Sequence, residues 1–172
     1  MNRTKLAFVI GASVLFVAAC SDTTATSAGS TNYSAILNAA SEVPATTATA
    51  ASGSFSAALH PTNGTLSYAL SWTGLTSGTN LQAHIHGPAD AATNANVIID
   101  FRALPTGSNS LPATFPTTTT SSISGNINLA SLPAPINADS LGKLLDAGKL
   151  YVNIHTTANG NGEIRGQITR AP

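Results

Sequence analysis

Residues 54–73 read SFSAALHPTNGTLSYALSWT, and this stretch decides the fold class. Apolar and small polar residues alternate in Ser54–His60, and they alternate again in Thr65–Thr73. Such alternation places one face of a strand on a core and the opposite face outward. The intervening Pro61-Thr62-Asn63-Gly64 consists of turn-forming residues, so the stretch predicts two antiparallel strands joined as a hairpin.

The same alternation recurs along the rest of the chain. It predicts further strands over residues 81–86, 96–101, 121–129, 150–155 and 162–169. Residues 105–120 show no periodicity and predict a long loop. Residues 137–148 instead place three leucines at helical spacing and end in Gly148, which predicts a short helix near 139–147. The whole pattern predicts an all-β fold, a single antiparallel Greek-key sandwich or barrel that carries one short helix.

The N-terminus has the features of an export signal. Leu6–Ala19 is an uncharged apolar run behind a basic start, and it is shorter than the about 20 residues that a transmembrane helix needs. The run Val17-Ala18-Ala19-Cys20 resembles the lipobox of bacterial lipoproteins, in which the cysteine is acylated and becomes the first mature residue. This resemblance implies a signal over 1–19 and a lipidated Cys20. We therefore expect an exported protein bound to the membrane through Cys20, on the outer-membrane, periplasmic or cell-surface side.

The small polar residues that follow predict the next boundary. Up to residue 32 they bury too little apolar area to fold, so we expect 20–32 to be the lipidated cysteine and a flexible tether. Residues 33–172 then form one β domain.

Composition excludes several classes of function. Removing residues 1–19 takes away Arg3 and Lys5, which leaves five basic residues against seven acidic ones and no basic surface for nucleic acid. Cys20 is the only cysteine, so no disulfide forms within the chain. The sequence contains no Gly-x-Ser-x-Gly, no His-Glu-x-x-His and no glycine-rich phosphate loop. We therefore expect a protein that is not an enzyme.

Three histidines are the strongest candidates for a site. His84 and His86 lie two apart on a predicted strand, so their side chains share one face about 6.6 Å apart along the backbone. His155 ends another predicted strand, and if the two strands are neighbours the three imidazoles can bind copper or zinc. The alternative is a structural polar network that pins the sheet and leaves no room for an ion. Its other members would be Glu163, Arg165, Asn153 and Gln167, with Glu42 within reach of a histidine.

Three stretches together resemble a known domain family. They are LNAASEVP (residues 37–44), AHIHGPA (residues 83–89), and YVNIHT (residues 151–156) followed by GEIRGQI (residues 162–168). In their order and spacing they resemble the CHRD domain, named for its occurrence in chordin, over about residues 33–170. The resemblance implies a domain whose biochemical role is mostly unassigned. The first expectation is therefore a cell-envelope lipoprotein with a non-catalytic binding or envelope-interaction role, and the alternative is a copper- or zinc-binding domain.

The histidine pattern is also similar to the copper site of copper–zinc superoxide dismutase. His84 and His86 would correspond to the paired strand ligands of that family, and His155 to its late ligand. The sequence has no counterpart of the family's bridging histidine, its zinc-loop cluster or its disulfide pair. Metal binding with redox chemistry is thus the most that this similarity implies, and dismutase activity is not expected.

Overall fold

The computed structural model describes residues 29–46, 50–78, 81–104 and 115–172. The predicted signal, Cys20 and most of the predicted tether lie outside these residues. The elements of the described chain are β1 (Thr31–Asn38), β2 (Ser52–His60), β3 (Thr65–Thr73), β4 (Gln82–His86), β5 (Val97–Asp100), β6 (Ser121–Asn128), α1 (Ala138–Asp146), β7 (Tyr151–His155), β8 (Ile164–Gln167) and β9 (Thr169–Arg170). No helix among the described residues is long and apolar enough to cross a membrane.

All the described strands belong to one antiparallel sheet, which curls into a half-barrel. The strand order is β5-β4-β7-β8-β1-β2-β3-β6, and β9 pairs with β1 beside this path. The predicted hairpin is present, with Ser54 opposite Ser71 and His60 opposite Thr65. The prediction of an antiparallel all-β fold with one short helix is therefore confirmed.

The core lies on the inner face of the curled sheet. Leu59, Leu66 and Leu70, which alternate with polar residues along the hairpin, are all at most 5% exposed. The helix α1 begins at an Asn137 capping box and buries Leu141 in the same core, against β2 and β9. Packing of one apolar face from each element thus holds the half-barrel together.

Alternation alone did not single out β1, which lies near the middle of the sheet. It pairs with β2 on one side and with β8 and β9 on the other. Tyr33, Ala35 and Leu37 alternate into the core, but Ile36 between them is 73% exposed and obscures the period. β1 begins at Thr31, two residues before the predicted start of the domain.

Candidate metal centre

The strands β4 and β7 are direct neighbours, and this pairing creates the site. Their antiparallel register sets His84 opposite Asn153, His86 opposite Tyr151 and Gln82 opposite His155. The three candidate histidines therefore lie on the same face of adjacent strands. One ring nitrogen from each of them can be chosen so that all three lie within 4.8 Å of one another. The predicted convergence of the imidazoles is confirmed.

This spacing is close to what an ion requires. Zinc binds imidazole nitrogen at about 2.0–2.1 Å, which places tetrahedral ligands about 3.4 Å apart. The widest pair in the cluster would approach by roughly 1–1.5 Å, which small rotations about the side-chain torsions supply. The rings also lie edge to face or tilted rather than stacked on one another, with His84 and His86 at an interplanar angle of 77°. The arrangement is therefore able to hold a metal ion.

In each imidazole, one nitrogen faces outward and the other faces the cluster. His86 Nδ1 donates to the carbonyl oxygen of Ala95 at 2.9 Å, and His155 Nδ1 donates to that of Gly160 at 3.0 Å. A carbonyl only accepts, so Nδ1 carries the proton in both rings and Nε2 keeps its lone pair. Both Nε2 atoms are buried without a hydrogen-bond partner among the described residues. Such outer hydrogen bonds are characteristic of metal-binding histidines.

His84 has the opposite orientation. Its Nε2 faces a carboxylate oxygen of Asp100 at 3.7 Å, and its Nδ1 is buried without a partner in the described chain. Asp100 lies on β5 directly opposite His84 in the ladder. A carboxylate behind a histidine favours the tautomer whose free nitrogen points the other way. All three rings can thus present a lone pair to the same point.

Burial keeps these imidazoles uncharged at neutral pH. It lowers the pKa of His84 to about 4, with the charge of His155 acting in the same direction and Asp100 opposing it. Burial also lowers the pKa of His86 and of His155, although hydrogen bonds to backbone carbonyls, and for His86 also the side chain of Asn153, partly oppose it. Only the neutral imidazole is a metal ligand, so protons compete weakly for this site at pH 7.

Glu163 does not fill the point between the imidazoles. Its fully buried carboxylate accepts hydrogen bonds from Thr76 N–H and O–H, Thr156 O–H and Asn159 Nδ2, at 2.7–3.0 Å. Burial alone would raise the pKa of Glu163, but these hydrogen bonds outweigh it and hold the pKa below its ordinary value. Glu163 therefore joins two loops at the end of β7.

Arg165 is also directed away from the imidazoles. Its guanidinium carbon lies 3.4 Å from the centre of the Tyr151 ring, and its nitrogens donate to Asn94 Oδ1 and to two backbone carbonyls. The other face of Tyr151 stacks on His86 with parallel planes and 4.8 Å between centroids. Arg165 thus fixes the His86 ring through Tyr151. Gln167 is separate again, since its amide donates to the carbonyls of Ala89 and Gly148.

Glu42 lies behind the histidine cluster. It is 5% exposed, and its carboxylate packs on Gly162, where an added Cβ would stand 2.3 Å from Oε1. Burial raises the pKa of Glu42 to about 7, although the charge of Arg165 and the amide of Asn153 both favour its ionised form. The residues predicted to form one polar network therefore do not meet at one point: Glu163 and Gln167 are bonded elsewhere, while Glu42 lies near Arg165 and Asn153.

Sequence reasoning missed Tyr151 and Asp100 as functional neighbours. Asp100 faces His84 across the ladder between β4 and β5. The sequence places Asp100 at the end of the strand-like run VIID. That position indicates a contact with His84 only when β5 is known to pair with β4.

Comparison with protein families identifies the domain. The family model described as the CHRD domain matches residues 33–168, which include every residue of the site. Searches of curated proteins and of solved structures gave no match. The similarity to copper–zinc superoxide dismutase therefore rests on the three histidines alone. The matched segment covers most of the chain, and the protein belongs to the CHRD domain family.

Proposed function

We propose that this protein is a metal-binding CHRD domain that holds a copper or zinc ion at the cell envelope. His84, His86 and His155 are the protein ligands, and Cys20 is the lipidated residue that attaches the chain to the membrane. The single observation that carries the proposal is the convergence of three imidazole nitrogens within 4.8 Å. The membrane attachment is supported by the lipobox-like run that ends at Cys20.

Energetics favour an ion over a purely structural cluster. A buried acceptor without a donor costs about 1–3 kcal/mol, and each of the three histidines buries one ring nitrogen without a partner among the described residues. One cation would satisfy all three together. Neither Glu163 nor Arg165 competes for the position, because both are held by other partners.

The chemistry of the ligands favours copper over zinc when both ions are present at equal concentration. The site offers imidazole and no thiolate, and imidazole suits both metals. Divalent copper binds such nitrogen donors more tightly than zinc does. We infer a role in binding the metal, because the converging groups are imidazoles.

Metal titration tests the proposal. The purified protein is stripped with a chelator and titrated with Cu(II) and with Zn(II) in a calorimeter, alongside a His84→Ala/His86→Ala double variant. His60→Ala is the matched control, because His60 lies on β2 and its ring contacts the Ser67 hydroxyl at 3.2 Å, away from the cluster. We expect one equivalent of metal bound by the wild type and by His60→Ala, and none at that affinity by the double variant. A wild type that binds no metal, together with a double variant that is only less stable, would show that the histidines are structural.

A further inference from the structure

The three imidazoles leave the coordination of an ion incomplete. Among the described residues, the group of histidine, cysteine and carboxylate side chains able to share one ion has three members. Zinc sites closed for structural purposes have four protein ligands, whereas sites with three protein ligands keep a position for water or an exogenous molecule. An ion held by these three imidazoles would therefore have one side that is not covered by a protein ligand.

A cavity of about 380 Å³ lies directly against the cluster. His86, His155 and Asn153 contribute to its lining, while His84 does not. Its other walls come from loop residues, including Pro44 and Asn161. A single water needs only about 10–15 Å³ measured in this way, so the cavity admits a small molecule beside the ion.

The groups that line the cavity determine which charge a bound molecule should carry. Apart from His86 and His155, its walls consist of amide, phenol, backbone and apolar groups. The guanidinium of Arg165 lies behind Tyr151, and Asp100 faces His84, which lies outside the lining. The lining itself carries no carboxylate, ammonium or guanidinium group, so a divalent ion on the histidines would be the charge closest to a molecule in the cavity, and it favours an anion.

Asn153 stands at the inner wall of the cavity. It is 2% exposed and lies opposite His84 in the ladder, and its Oδ1 has no partner among the described residues. An unpaired buried amide oxygen accepts a hydrogen bond from a water or hydroxide bound to the ion. Asn153 lines the cavity together with His86 and His155, so this oxygen lies on the side of the cluster that faces the cavity.

From this geometry we infer that the metal keeps one coordination position open toward the cavity and exchanges its water there for a small anion. The inference rests on the proposed function, since it requires the ion. It assigns Asn153 as the residue that orients the bound water and faces the incoming anion.

Azide titration of the Cu(II)-loaded protein tests this inference. Azide bound to copper produces a ligand-to-metal charge-transfer band, so the affinity is read from its absorbance. Asn153→Asp places a carboxylate beside the open position and should weaken azide at least about tenfold at one equivalent of copper. Asn63→Asp is the charge-matched control, because Asn63 is exposed in the turn between β2 and β3 and does not line the cavity, and it should change the affinity less than about twofold.

The outcomes separate the inference from the proposed function. A saturable azide band that Asn153→Asp weakens selectively supports the open position. Copper binding without any azide band in the wild type overturns the inference and leaves the metal site intact. Equal weakening by both aspartate variants overturns the assignment to Asn153, and absence of copper binding overturns the proposed function itself.

Discussion

Replacing Glu42 by glutamine should stabilise the domain at alkaline pH. Glu42 is 5% exposed, and burial raises the pKa of its carboxyl from the ordinary value of 4.5 to about 7. Because the folded-state pKa is raised, the stability linked to this group is fully present below pH 4.5. It is lost as the pH rises through about 7. One pKa unit corresponds to 1.36 kcal/mol, so the loss for the wild type approaches about 3 kcal/mol by pH 8.

Urea unfolding between pH 4.5 and 8.5, with chelator present, measures this loss. The useful quantity is the difference in unfolding free energy between Glu42→Gln and the wild type, because the other titrating groups cancel in it. We expect that difference to move in favour of the variant by about 3 kcal/mol from pH 4.5 to pH 8.5. Asp139→Asn, which removes an exposed carboxylate of α1, should show no comparable change.

A difference that stays flat across this range would refute the reasoning. It would mean that Glu42 is ionised in the folded protein, with the charge of Arg165 prevailing over burial. The experiment decides whether desolvation or the charge of the nearby guanidinium has the larger effect on the pKa of Glu42.

Three further changes test other parts of the molecule. Glu163→Gln should lower the unfolding free energy by about 2–4 kcal/mol at pH 7, because four donors lose a charged acceptor. Since the pKa of Glu163 is depressed in the folded state, the wild-type advantage should fade as the pH falls below the ordinary glutamate pKa of 4.5, and a penalty independent of pH would contradict this. Gly162→Ala places Cβ 2.3 Å from the Glu42 carboxylate at a φ of +125° and should lower the melting temperature markedly, whereas Gly160→Ala meets nothing within 4 Å and serves as the control. Equal melting of the two alanine variants would argue against that clash. Cys20→Ala should move the protein out of the membrane fraction, and unchanged partition would contradict lipidation at this residue.

The sequence predicted those strands whose two faces differ most. The predicted bounds of Thr65–Thr73 are those of β3, because its inner residues are buried leucines and aromatics and its outer residues are small and polar. Alternation is a local property, and the pleat converts it directly into a buried and an outer face. The same argument failed to pick out β1, where the exposed Ile36 gives the outer face an apolar residue.

The histidine site was predictable only in part. The spacing of His84 and His86 places them on one face, but their contact with His155 depends on β4 pairing with β7 across a long sequence separation. Local pattern also suggested an outward face, whereas His84 and His86 are 6% and 7% exposed. Loops around Ala95 and Gly160 reach the His86 and His155 rings, and no periodicity reports such packing.

The count of protons in the cluster distinguishes an ion site from a structural one. Three neutral imidazoles carry three N–H groups in total, one each. Those of His86 and His155 are donated outward to carbonyls, which leaves the proton of His84, whose Nε2 lies 3.7 Å from an Asp100 carboxylate oxygen. The rings can therefore supply at most one N–H to one another, that of His84, which is too few to satisfy all the inner nitrogens as a self-contained network would. A cation, with or without a bound water, satisfies all three inner lone pairs, and the outer acceptors hold the rings in the tautomers that it requires.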